Sequence, residues 1–160
     1  MGLSGRDARV APPGATSFGG VWIMMMTADA RGQPRILVVE DDAGVARMLH
    51  ISLTAAGFDS FEARNGREAL DVLRQEAVDA VILDLVLPDS LGGVVLDWLR
   101  RPPPHYAPAW VVISALAPGE VTRRHGELGE NFFPKPFDPW DLIRRLNKLL
   151  HREGTQPGGG

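Results

Sequence analysis

From Arg35 onward the chain alternates between two hydrophobic periods. Residues 36–39 (ILVV) are a continuous apolar run, as a strand buried on both faces requires. Val45, Met48, Leu49 and Leu53 then recur at helical spacing until Gly57 ends the pattern. Residues 58–63 read as a second strand, and Asn65-Gly66 opens a helix carrying Ala69, Leu70 and Leu73. Residues 80–83 (AVIL) form another buried run that ends on an acid, Asp84. A helical face of Leu91, Val94, Val95 and Trp98 follows, closed by Pro102-Pro103-Pro104. Residues 110–113 (WVVI) predict a fourth strand ending at Ser114, and residues 131–133 a short fifth. Between them, residues 118–129 hold three glycines and few apolar anchors, so this is the weakest element and is expected to be poorly ordered. Asp138-Pro139 marks a helix start, a capping residue followed by proline at the first helical position. Leu142, Ile143, Leu146, Leu149 and Leu150 supply the buried stripe of that last helix.

Five strand–helix units predict an α/β fold, a doubly wound five-stranded parallel sheet covered on both faces. Functional groups in such sheets gather beyond the carboxyl ends of the strands, at the topological switch point. Glu40, Asp41, Asp84 and Ser114 each follow an apolar run directly, so the fold brings them to one rim although they are far apart in sequence.

Composition bounds the chemistry. The 160 residues are 44% hydrophobic and 23% charged, the balance of one globular domain able to bury a core without staples. There is no Cys, which removes disulfides, thiolate metal sites and a cysteine nucleophile, and fits a reducing compartment. A formal charge of −3 argues against non-specific affinity for nucleic acid. The run at 18–26 is short, interrupted by Gly19 and Gly20, and below the ~18–20 residues of a membrane span. Residues 1–34, rich in Gly, Pro, Ser and Ala, read as a disordered leader or extension, with Met24, Met25 or Met26 as alternative starts. Residues 35–152 form the folded domain, and 153–160 a flexible tail or truncated linker.

Carboxylates clustered at a rim are costly to desolvate and repel one another unless a cation neutralises them. With oxygen donors and no Cys, the ion expected is Mg2+, which takes carboxylates, water and phosphate oxygens. Phosphoryl transfer needs an in-line nucleophile, which a carboxylate can be, and positive charge on the phosphoryl oxygens. Lys135, after the fifth strand, can supply a second cation, and the Ser114 hydroxyl can donate to a phosphoryl oxygen.

In order and spacing, the motifs ILVVEDD, VILDLVLPDSLGG, VVISA and FFPKPF resemble the receiver domains of two-component response regulators. Each is weak alone; all four together are specific. The resemblance covers residues 35–152 and implies a flavodoxin-like (βα)5 receiver fold. By that resemblance Asp84 is the phospho-acceptor, Asp41 the direct Mg2+ ligand and Glu40 its acidic partner acting mainly through water. The backbone carbonyl of Val86 is a further metal ligand, Ser114 and Lys135 hold the phosphoryl oxygens, and Pro136 is the family's cis proline. Phe132 matches the aromatic switch that moves with Ser114. Asp42, one residue past the acidic pair, is expected to cap the first helix instead. Trp98, Trp110 and Trp140 are expected in packing rather than in contact with a cofactor.

The resemblance further implies a cytoplasmic signalling switch, phosphorylated by a sensor histidine kinase or a histidine phosphotransfer protein. It is no enzyme beyond its own phosphorylation and dephosphorylation. Its output face is the last two helices and fifth strand, where Arg123, Arg124, Arg144, Arg145, Lys148 and Arg152 lie, read by a downstream protein or an output domain missing from this chain. No direct nucleic-acid binding by this domain and no membrane association are expected. The alternative is a receiver-like adaptor that binds its partner without phosphorylation, against which the complete acidic set argues. A Mg2+-dependent aspartyl-phosphate phosphatase is excluded by Val86, which stands where such enzymes resemble a second Asp. Three departures matter: Ser114 replaces the commoner Thr, the Ser114–Lys135 interval is about one residue short, and Asn131 stands where many DNA-binding regulators carry an acid. The last weakens, without removing, a phosphorylation-dependent homodimer paired through Arg145.

Overall fold

A computed structural model describes residues 32–154, the last three as backbone only, and the backbone of two short segments near the N-terminus. Those segments, β1 (Thr16–Phe18) and β2 (Val21–Ile23), pair antiparallel with Thr16 opposite Ile23. The remainder of the expected leader and residues 155–160 of the expected tail lie outside the described residues.

The principal unit is one parallel sheet in the order β4-β3-β5-β6-β7. Its strands are β3 (Arg35–Val39), β4 (Asp59–Ala63), β5 (Ala80–Asp84), β6 (Ala109–Ser114) and β7 (Phe132–Pro134). The helices between and after them are α1 (Ala43–Ala55), α2 (Gly66–Gln75), α3 (Gly92–Arg100), α4 (Pro118–His125) and α5 (Pro139–Gly154). This is the doubly wound, flavodoxin-like architecture the sequence predicts. Alternate residues of each central strand serve opposite cores. Ile36 and Val38 join Leu49, Leu53, Leu142 and Leu146 beneath α1 and α5. Leu37 and Val39 join Leu70, Leu73, Val95 and Leu99 beneath α2 and α3. Sealing both faces leaves the sheet ends as the places where polar chemistry can reach solvent. Among the described residues no helix is long and apolar enough to cross a membrane.

The strand order creates the crevice. From β3 the chain moves outward to β4 on one side, then crosses back to β5 on the other. The loops leaving β3 and β5 therefore diverge and expose the rim between them.

Within residues 118–129, the weakest element of the sequence, α4 forms two turns, seated by buried Val121, with Glu120 paired to Arg123 and Arg124, and ends where Gly126 takes φ 77°. Three local expectations are corrected. The buried face of α3 is Val95, Leu96 and Leu99, while Val94 is exposed. That helix is rotated because its first residue, Gly92, sits directly on the backbone of Leu85, where a Cβ would come within 2.3 Å of the carbonyl oxygen. The fifth strand begins at Phe132, one residue later than expected, after a 3-10 turn at Gly129–Asn131. Trp140 does not pack. It precedes the buried stripe of α5 and is 49% exposed. Trp98 meets Tyr106 edge to face, and Trp110 lies under Arg100, so these two are in packing roles.

Candidate functional site

At the end of β3 the backbone N–H of Glu40 donates to the Ala63 carbonyl at 3.0 Å, which extends the ladder by one residue and seats Glu40 in the rim. The residue is 2% exposed. One carboxylate oxygen accepts from the Asp42 N–H at 3.0 Å, the other from Lys135 Nζ at 2.7 Å. Asp41 is exposed, yet its carboxylate can lie within 4.8 Å of those of Glu40 and Asp84. Asp42 leaves this group: its Oδ1 accepts from the Val45 N–H at 2.9 Å and caps α1, as expected.

Asp84 is the last residue of β5 and 3% exposed. Its Oδ1 accepts from the N–H of Val86 at 2.9 Å, and its Oδ2 accepts from Lys135 Nζ at 2.8 Å. Lys135 is fixed by its own backbone, whose N–H donates to the Ser114 carbonyl at 2.8 Å, and it precedes a cis peptide bond to Pro136. Ser114 is buried, and its hydroxyl oxygen accepts from the Leu116 N–H at 3.1 Å. Phe132 is half-buried against the α2/α3 core, and Val86 is 51% exposed beside the rim.

One ammonium thus serves two buried carboxylates, with a third close by. Burial, then the charge of Asp84, hold the Glu40 carboxyl above its usual range, against the bonds from Lys135 and the Asp42 N–H. Lys135 is less enclosed. Burial opposes its charge, but the bonds to Asp84 and Glu40 prevail and hold its pKa above 10.5. The same pairing therefore keeps the lysine charged without offsetting the cost of ionising Glu40. An all-oxygen group with surplus negative charge fits a hard divalent cation, which would complete the neutralisation that one ammonium leaves unfinished.

Two residues escaped the sequence reading. Asp89, in the loop after Asp84, accepts from the N–H groups of Gly66, Arg67 and Leu91. Desolvation is the largest single influence and opposes its charge, but the amide donors together outweigh it and hold its carboxyl below the usual 3.8. A Pro-Asp turn signal was the trace in the sequence, but the amides it binds carry none. Glu130 is the other: Arg145 donates to it at 2.9 Å and to Asn131 at 2.8 Å, so the arginine's partners are within the chain.

Fold and site together make a doubly wound parallel α/β domain whose acidic crevice is entered by one lysine. Residues 36–147 match the family model of the response regulator receiver domain, and the chain belongs to that family. It is 34% identical over 129 residues to the response regulator MprA of Mycolicibacterium vanbaalenii, covering 79% of this chain and 54% of that protein. To the DNA-binding response regulator MtrA of Mycobacterium tuberculosis it is 34% identical over 123 residues, covering 77% of this chain and 53% of that protein. The chain spans about half the length of the curated relatives it matches. The receiver domain of the Francisella response regulator 1452 superposes with a TM-score of 0.65 at 27% identity, covering 76% of this chain and 99% of that one.

Proposed function

We propose that Asp84 accepts a phosphoryl group from the phosphohistidine of a sensor kinase or phosphotransfer protein. The observation that carries this reading is the Asp84 carboxylate itself, nearly buried, held at both oxygens, and facing Glu40, Asp41 and Lys135. An Asp84 oxygen attacks phosphorus in line, the O–P bond forms as the N–P bond breaks, and the electron pair returns to the donor imidazole. Lys135 Nζ and the Ser114 hydroxyl donate to the oxygens of the arriving group, which replaces contacts each now makes nearby. Mg2+, held by Glu40, Asp41, Asp84 and the Val86 carbonyl, would supply the remaining positive charge for the phosphoryl oxygens.

Phosphorylation draws Ser114 toward the rim and opens room for Phe132, and the change is read on α4, β7 and α5. Because Arg145 already serves Glu130 and Asn131, the reader we propose is a different protein or an output domain, not a second copy paired through that arginine. The reading implies a cytoplasmic domain with no catalysis beyond its own phosphorylation and dephosphorylation.

The test is incubation with acetyl phosphate and Mg2+ followed by intact-mass measurement. One acid-labile phosphate should appear, and Asp84→Asn or EDTA should abolish it. Phosphate that persists in Asp84→Asn at another residue refutes the assignment, and a wild-type protein that binds Mg2+ yet takes no phosphate supports the phosphorylation-independent adaptor.

A further inference from the structure

Asp89 ties the loop that follows Asp84 to a helix beginning eighteen residues before the acceptor. Its Oδ2 accepts from the Arg67 N–H at 2.9 Å, and its Oδ1 from the N–H groups of Gly66 at 3.1 Å and Leu91 at 3.2 Å. The first amides of a helix have no partner within it. In α2 two of them are satisfied by Asp89, while the next, from Glu68, is satisfied by the N-cap Asn65 at 2.8 Å. Both residues cap the same helix, but only Asp89 belongs to the acceptor loop.

The contacts around it leave the loop little freedom. A Cβ on Gly66 would stand 2.5 Å from that of Leu91, so the start of α2 rests against the end of the loop. Gly92 lies on the Leu85 backbone, one residue after Asp84. Between them Ser90 takes φ 60°, a left-handed conformation unfavourable for serine, while its N–H donates to the Leu87 carbonyl at 3.0 Å. A strained turn needs an outside restraint to persist, and the two bonds from Gly66 and Arg67 to Asp89 are that restraint. The same loop carries Val86, whose N–H reaches the acceptor carboxylate.

We propose that Asp89 is a positioning residue for phosphoryl transfer: by pinning the acceptor loop to the first turn of α2, it fixes the Val86 backbone beside Asp84. The role rests on the acceptor assignment of Asp84. Small displacements of groups around a reacting centre are expensive, so releasing the loop should slow the step itself and not the capture of the donor.

The experiment compares Asp89→Ala, Asp89→Asn and Asn65→Ala. Phosphorylation by acetyl phosphate is followed over a range of donor concentrations, and amide exchange at Gly66 and Arg67 is measured without any donor. Asp89→Ala should lower the rate at saturating donor by about fivefold to tenfold with KM little changed, and Asp89→Asn, which keeps an acceptor oxygen, should recover much of it. Asn65→Ala weakens the same helix end and should stay within about twofold of wild type. Protection at Gly66 and Arg67 should fall in Asp89→Ala and persist in Asn65→Ala. Equal kinetic losses in Asp89→Ala and Asn65→Ala, no loss in either, or unchanged exchange in Asp89→Ala overturns the proposal. If wild type takes no phosphate, the reading of Asp84 falls and this role falls with it, whereas a defect confined to Asp89→Ala bears on the clamp alone.

Discussion

The two ends of the sheet treat charge in opposite ways. At the amino end Asp79 and Glu76 each have a separate donor group on Arg35. The Arg35 N–H donates to Asp79 at 2.6 Å, while the Arg35 guanidinium donates to the Ala77 carbonyl and to Glu76 and stacks over Phe61. The Tyr106 hydroxyl closes the same corner, accepting from the Val78 N–H and donating to the Glu76 carbonyl. At the carboxyl end Glu40 and Asp84 are buried more deeply, yet they share one ammonium with Asp41 alongside. A network that serves stability satisfies its members individually. One that leaves carboxylates crowded holds unfavourable energy that a ligand can release.

That contrast can be broken most sharply by neutralising one acid at each end. Asp79→Ala should cost about 1–3 kcal/mol, because the Arg35 N–H loses its partner. Asp84→Asn should leave stability in EDTA unchanged or raise it, while removing all phosphate incorporation. Urea denaturation of both variants measures the difference in sign. A loss in Asp84→Asn as large as in Asp79→Ala would mean that the carboxyl-end cluster is structural.

The same contrast has a pH signature. The folded state holds the Glu40 proton more tightly than the unfolded chain, whose carboxyl titrates near 4.5. Ionising Glu40 therefore weakens the fold as pH rises from 4.5 through the raised folded value. Lys135 has a consequence of the same sign in the alkaline range: its contribution is complete below 10.5 and is lost as pH climbs through its raised value. In EDTA, wild type should lose stability relative to Glu40→Gln across the first of these windows. A difference between the two proteins that does not vary with pH would show that burial of Glu40 carries no such cost.

Adjacent acids sharpen the comparison at single-residue scale. Asp42 is committed to the Val45 N–H, whereas Asp41 faces the other two carboxylates. Asp41→Ala should weaken Mg2+ binding by about tenfold to a hundredfold and Asp42→Ala by about twofold, read by calorimetric titration. Equal losses would place the cation on the wrong member of the triplet.

How much of this was legible in the sequence follows from the same physics. Buried strands such as 36–39 and 80–83 declare themselves because both faces must be apolar, and the acids ending them declare the rim. Strand ends blur because the ladder sets them: Ser114 belongs to β6 through its pairing with Pro134. The face of α3 was misread because Val94 and Trp98 keep helical spacing as well as Leu96 and Leu99 do. What decides between them is the seating of Gly92 on Leu85, a tertiary contact. Lys135 was placed at the site by its motif, but its division between Glu40 and Asp84 is a matter of distance. Asp89 stayed hidden because its partners are main-chain amides, which every sequence possesses.

The smallest expected effect lies within the rim, between its polar floor and its two apolar edges. Val86 is half exposed next to the acceptor, and Leu116 is half-buried against the core two residues after Ser114. By the resemblance to receivers, the side chains at these positions are expected to flank the path of the hydrolytic water, and neither of these can orient it with a hydrogen bond. Water positioning is a large part of phosphoryl-transfer catalysis, so an apolar pair should slow attack on the aspartyl phosphate. Leu116 leans on the core through its apolar surface, so a charged replacement there would turn its head toward the rim instead of into packing. The double change Val86→Asn with Leu116→Glu should therefore shorten the phosphorylated state by roughly tenfold, about 1.4 kcal/mol of barrier. Loss of label after removal of donor, followed by intact mass, measures this directly. An unchanged lifetime in a double variant that still folds and binds Mg2+ would assign control of the decay to the acidic floor rather than to its apolar edges.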